Sequence, residues 1–238
     1  MTLLSKLLVA GVTLAAIGAA AVPARAQTQG SRSSITFKIA IDPSIGGVSI
    51  DQGAAVVSSA PAAVTQASWS DTHSKSSPLF EFDYGYAVAT HTDVLVGFEF
   101  GHAGANLASV GTLNGAPLNA SLDPYQYWGF EGGVRLGAGH RRGAYVSVTG
   151  GFRHVNAMGI SFSTTVLTSV RPFYEASTVP SFGFNGGYLF GQSNFGIGFE
   201  VGVNYAGSLK ADPGAPELSA LNDQGQRWSL PVSIVLRF

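Results

Sequence analysis

Eight segments of alternating apolar and polar residues, a strict rhythm of short turns and long polar connections, and a charged fraction of only 11% predict an all-β chain. The fold class they imply is a closed antiparallel transmembrane β-barrel of about eight strands, with short periplasmic turns and long extracellular loops. Soluble domains carry roughly 25% charged residues. No stretch beyond the N-terminal leader offers the ~20 apolar residues of a helical span. A chain apolar overall, poor in charge and free of such runs suits a wall in which every second residue meets lipid.

The leader fixes where structural reading begins. Lys6 is followed by an apolar run from Leu7 to Val22 and then by Ala24-Arg25-Ala26, a small-x-small cleavage pattern. Residues 1–26 therefore read as a secretory signal peptide, and residues 27–238 as the barrel domain. The leader holds two bases, Lys6 and Arg25, and no acids, so the remainder carries eleven bases against fourteen acids, a net of −3. That balance leaves no nucleic-acid footprint. The chain has no cysteine, which excludes a disulfide framework and thiolate metal sites.

The first strand starts near Ile35: Ile35, Phe37, Ile39 and Ile41 share one parity, and Thr36, Lys38, Ala40 and Asp42 the other. The second sets Phe80, Phe82, Tyr84, Tyr86 and Val88 against Glu81, Asp83, Gly85, Ala87 and Ala89. The third sets Val94, Val96, Phe98 and Phe100 against Leu95, Gly97, Glu99 and Gly101, and Thr90-His91-Thr92-Asp93 joins the two as a hairpin. A second hairpin follows around Gly139–Gly143. Its arms place Trp128, Phe130, Val134 and Leu136 opposite Tyr127, Gly129, Glu131, Gly133 and Arg135, then Ala144, Val146, Val148 and Phe152 opposite Ser147, Thr149, Gly151 and Arg153. The third hairpin turns at Gly191-Gln192-Ser193-Asn194, with Phe182, Phe184, Tyr188 and Phe190 before it and Phe195, Ile197, Phe199, Val201, Val203 and Tyr205 after it; its other face is mostly glycine with Asn185, Glu200 and Asn204. The last strand runs from Trp228 to Phe238 and has Ser229, Ser233 and Arg237 on its inner side.

Residues 43–78, 104–124, 157–179 and 206–226 are the long connections, read as open polar loops. The first is low in complexity from Ala54 to Ser59, and the fourth carries Pro213-Gly214-Ala215-Pro216. A short extra hairpin within residues 45–60 is an alternative that either extends the wall above the membrane or makes ten strands. Closure follows from solvent physics, because hydrocarbon offers no water to satisfy an open sheet edge. About ten residues per strand at ~3.3 Å rise and ~40° tilt span about 25 Å, the height of an outer-membrane apolar band. Phe80, Tyr125, Trp128, Tyr205 and Trp228 fall at outer strand ends and Phe190, Phe195 and Phe238 at inner ends, the two aromatic girdles of a lipid-facing barrel.

The loop rhythm and the ending resemble the small outer-membrane β-barrel proteins of Gram-negative bacteria, of the OmpA transmembrane-domain, OmpX and OmpW type. In that ending Trp228, Leu230, Val232, Ile234, Leu236 and the terminal Phe238 alternate with their neighbours, like the signal the family presents to the barrel-assembly machinery. The resemblance covers essentially all of residues 27–238. It implies an outer-membrane location among lipid and lipopolysaccharide. No peptidoglycan-binding domain follows, so cell-wall anchoring in the manner of full-length OmpA is not implied.

The inward parity carries Lys38, Glu81, Asp83, Glu99, Glu131, Arg135, Arg153, Glu200 and Arg237. Closure gathers these charges into one lumen, as a salt-bridged plug or as a polar conduction path. The plug is the favoured reading, because eight strands leave a bore that side chains fill. Counting from the first turn puts Asp83 nearly opposite Glu99, a pair that needs a proton or a cation from Arg135, Arg153 or Lys38.

Enzymatic motifs are weak. Arg153-His154-Val155-Asn156-Ala157 faintly resembles the lipid A deacylase motif, yet Asn156 stands where the nucleophilic serine belongs. His73, Ser74 and Ser76 resemble the polar residues of a palmitoyltransferase rim and are also ordinary loop residues. The five histidines lack ligand spacing, and neither His-Glu-x-x-His nor Gly-x-Ser-x-Gly occurs. Gly137–Gly143 misses the dinucleotide fingerprint and leads into a strand. Asn119-Ala120-Ser121 is a chance sequon in a bacterial loop. The sequence thus predicts a cofactor-free, non-enzymatic surface barrel whose four loops meet extracellular ligands. A narrow OmpW-like channel for small or hydrophobic solutes is the alternative, with lipid A modification third.

Overall fold

The computed structural model describes residues 32–57, 60–74, 77–137, 142–165, 167–192 and 195–238. The expected signal peptide lies outside these residues, as do Ser76 and parts of the second and third turns.

Eight strands make the wall: β1 (Ser33–Ile41), β2 (Pro78–Ala89), β3 (Thr92–Ala103), β4 (Tyr125–Gly137), β5 (Gly143–Val155), β6 (Ser177–Gln192), β7 (Phe195–Ala206) and β8 (Val232–Arg237). Each pairs antiparallel with the next. The ring closes where β8 pairs with β1, from Thr36 opposite Arg237 to Ile41 opposite Val232. No strand of the ring keeps a free edge, which is what a lipid-embedded sheet requires. Pro231 lacks an N–H and interrupts the last strand; Arg227–Ser229 precedes it, pairing with β7 and with Ser44–Gly46.

The alternation sorts residues as a lipid-facing wall does. Ile39, Val96 and Ile234 are 57%, 60% and 61% exposed, while Thr36, Lys38 and Val235 are buried inside. An apolar belt of this extent does not face water on a soluble monomer. The chain crosses the membrane on strands.

The four long connections depart from their reading as open loops. The first three each fold into a hairpin: Gly53–Val57 with Ala60–Val64, Ala108–Leu113 with Ala116–Leu122, and Met158–Ser163 with Thr168–Tyr174. These hairpins pair side by side into a six-stranded antiparallel sheet. The extra hairpin placed within 45–60 is thus real but sits at 53–64, and it belongs to this second sheet instead of the barrel wall. The fourth connection packs beneath the sheet through Ala215, Leu218 and Leu221. Ile50, Trp69, Val110, Leu118, Ile160, Phe162, Phe173 and Tyr174 share its core, which continues into the mouth of the barrel through Ala40, Leu79, Ala103, Val155, Val179 and Ala206. The loops make a dome because each carries enough alternate apolar residues to bury a face together, though none could alone.

The tight turn of the middle hairpin explains its register. Asn114 and Gly115 both adopt positive φ, 50° and 82°, the backbone of a type I′ turn.

Candidate functional site

The barrel interior is where sequence and geometry concentrate polar chemistry. Because strands alternate direction, register stacks the inward charges in four layers from the dome to the short turns. Nearest the dome, Arg227 donates from Nη1 to Asp42 Oδ2 (2.9 Å), from Nη2 to Asp42 O (2.6 Å) and from Nε to Ser44 Oγ (2.8 Å). Its guanidinium lies over the Tyr125 ring, 5.0 Å from the centroid.

In the next layer Arg153 forks onto Glu99, Nε to Oε1 at 2.7 Å and Nη2 to Oε2 at 2.8 Å. The same guanidinium stacks 4.0 Å from the centre of Tyr127, whose hydroxyl donates to Asp42 Oδ2 and so ties the two layers together. Bidentate geometry with an aromatic face is the arrangement that arginine supplies and lysine does not.

The third layer gathers Lys38 with Glu81, Asp83, Glu131 and Glu200. The Lys38 ammonium lies 2.6 Å from Glu81 Oε1, 3.0 Å from Glu200 Oε1 and 3.3 Å from Asp83 Oδ2. The fourth, toward the short turns, centres on Asp93, which accepts from Arg135 Nη2 (3.0 Å) and Arg237 Nη2 (2.7 Å). Arg237 also donates to Ser34 Oγ. All nine charges expected on the inward face do face the interior.

Their pairing differs from the sequence reading in two respects. Glu99 lies opposite Glu81, and Asp83 opposite Gly97, so Asp83 and Glu99 are not cross-strand partners. The hairpin turns more tightly than the four-residue count allows, with Ala89 opposite Thr92 and a bulge at Ala87/Ala89. Asp42, Asp93 and Arg227 complete the network and had not been assigned to it. The signal was present, since Asp42 shares the parity of Lys38 and Arg227 that of Arg237. Tyr125 is likewise not a girdle residue. It is 1% exposed, shares the inward parity of Tyr127, and packs on Trp69 at 5.2 Å.

No family model and no curated protein matches this sequence. Among solved structures the fold is similar to Ail, the attachment invasion locus protein of Yersinia pestis, at TM-score 0.43 and 13% identity, over 88% of this chain and 100% of that one. Neisserial surface protein A matches at 0.42 and 11% identity, over 88% and 98% of the two chains. The N-terminal β-barrel domain of Pseudomonas aeruginosa OprF matches at 0.38 and 10%, over 88% and 100%. It is the ring of strand pairs in this chain that defines the barrel.

The residues weighed for lipid A chemistry are placed apart. His154 lies on the outer face, its ring 5.2 Å from Trp128 and its Nδ1 3.0 Å from Thr178 Oγ1. Asn156 donates to Gln126 Oε1. His73 is buried in the dome beside Trp69, with Nε2 donating to Asp123 O (3.1 Å) and Nδ1 3.1 Å from Thr72 Oγ1. It is a packed dome residue and not part of a flexible polar loop.

Burial pushes the His73 pKa down to about 4; the bond to Asp123 O opposes the shift, and the positive charge of Arg227 adds to it. The folded dome thus holds a neutral imidazole that an opened dome protonates below pH ~6.5. The opened state then binds more protons, so dome stability is fully present above that pH and falls as pH drops toward 4. We expect a loss of about 3 kcal/mol at most across that window, one pKa unit being worth about 1.4. Limited proteolysis against pH checks it, and His73→Asn should flatten the profile.

Proposed function

We propose that this chain is an exported, non-enzymatic outer-membrane protein whose bore is sealed and whose dome faces the exterior as an interaction surface. The observation that carries this reading is the filling of the tube by side chains: an apolar dome core at its mouth, then four layers of charged groups, three of them fully paired. In planar bilayers the purified protein should give small or absent single-channel conductance. A large steady conductance would overturn the reading in favour of a narrow channel for small or hydrophobic solutes.

The dome charge narrows the ligand class. Among the described residues, Asp71, Asp123, Glu175, Asp212, Glu217 and Asp223 reach its surface against Arg171 and Lys210. Ail was solved in complex with the heparin analogue sucrose octasulfate; an acidic dome favours cationic ligands over such polyanions. Outer-leaflet lipid and lipopolysaccharide are the remaining neighbours of the wall.

Assembly makes a separate test. On β8 and the segment before it, Trp228, Val232, Ile234 and Phe238 point outward, Leu230 and Leu236 are half-buried, and Phe238 packs on Phe37 and Phe195. If the barrel-assembly machinery reads this stripe, deleting Phe238 should impair membrane insertion far more than shortening the 53–64 hairpin. Cell fractionation with heat-modifiable gel migration measures both, and equal insertion would contradict the reading.

A further inference from the structure

In three of the four interior layers every carboxylate has an arginine partner. The Lys38 layer does not. Four carboxylates share one ammonium there, and Glu131 has no cation within 4.0 Å among the described residues. Among the described residues, seven interior carboxylates face five bases, which leaves a charge of +2 missing. One oxygen each from Glu81, Asp83 and Glu131 lies within 4.8 Å of the other two.

Further observations, independent of the carboxylate count, point to an absent partner. Asp83 is 1% exposed, and its Oδ2 has the shared Lys38 ammonium at 3.3 Å but accepts no hydrogen bond. The hydroxyl of Thr149, a residue 5% exposed, faces the Glu131 carboxylate without closing a well-formed hydrogen bond. Buried polar atoms are seldom left so. Glu81 and Glu131 each retain partial surface, so each borders space that a water-sized group can reach. Gly97 makes room for these carboxylates, because a Cβ at this position would collide with Asp83 Oδ1 and press on Glu131.

We propose that Glu81, Asp83 and Glu131 bind one divalent cation inside the barrel, of the size of Ca²⁺, with the Thr149 hydroxyl positioning Glu131. Hard carboxylate oxygens are the donors such an ion takes. Ca²⁺–oxygen bonds of about 2.3–2.6 Å let opposed ligands lie up to about 4.6–5.2 Å apart, and the three oxygens fall within that reach. The ion brings the interior to neutrality and leaves Lys38 to Glu200. It deepens the sealed-bore reading without depending on it, since a conducting barrel could hold the same ion.

The test uses the mature chain refolded into non-ionic detergent with Ca²⁺, then desalted. Elemental analysis should find one Ca²⁺ per chain, and chelator should lower the thermal unfolding midpoint. Glu131→Gln and Asp83→Asn should each abolish retention and the chelator effect, while Asp223→Asn on the dome should change neither. Thr149→Val should weaken retention about tenfold, the usual scale for losing a ligand's positioning partner, and decides the matter if the carboxylate variants do not refold. A wild-type chain that retains no ion, or retention that survives these substitutions, overturns the site and assigns shared protons to the carboxylates.

Discussion

Arg153→Ala is expected to destabilise the barrel by about 3–5 kcal/mol, the range for removing one partner of a buried ion pair. The reason is geometric. Glu99 is 4% exposed, and both of its oxygens accept from the one guanidinium. Without Arg153 that charge stays in the tube with Glu81 directly across the β2–β3 pair. Tyr127 loses its stacked cation at the same time. Urea unfolding in detergent micelles reads the effect as a shift in midpoint. The double variant Arg153→Ala/Glu99→Ala should recover most of the loss, since it removes the orphaned charge along with its partner. Equal midpoints for wild type and Arg153→Ala would mean that water already solvates Glu99, and the sealed bore would fall with that result.

The barrel was legible in the sequence because its physics is periodic. Lipid outside and a packed tube inside impose a period of two on every strand, and runs such as Ile35–Ile41 and Phe195–Tyr205 display it without ambiguity. Inward charges follow from parity alone. Their partners do not, because pairing depends on register, and register turns on local detail such as the Ala87/Ala89 bulge. The dome was missed for a different reason. Its strands are five to seven residues long and rich in alanine, serine and threonine, so each taken singly reads as loop. The Asn114-Gly115 dipeptide was nonetheless the strongest short-range hairpin signal in the chain, and Met158, Ile160 and Phe162 alternate as cleanly as any wall strand. What sequence could not supply was the meeting of hairpins from three separate connections, a contact among segments about fifty residues apart.

Trp69→Ala tests whether that meeting forms a unit of its own. Trp69 is fully buried on a one-turn helix, Trp69–Thr72, and its Nε1–H donates to Gln226 O at 2.8 Å. Its ring touches Tyr125, Tyr174 and His73, which come from β4, the third hairpin and the first connection. Truncation opens a cavity where these segments converge and should weaken the dome by about 3–5 kcal/mol. The ring of wall strands shares none of those contacts beyond Tyr125 and is held by its own hydrogen bonds. Protease should therefore cut within 43–78 and 157–179 well before the heat-modifiable barrel band disappears. The bore should stay closed as well, because the ion-paired layers lie below the cavity. Simultaneous loss of dome and barrel would show one cooperative fold, and conductance in the variant would place the seal in the dome core alone.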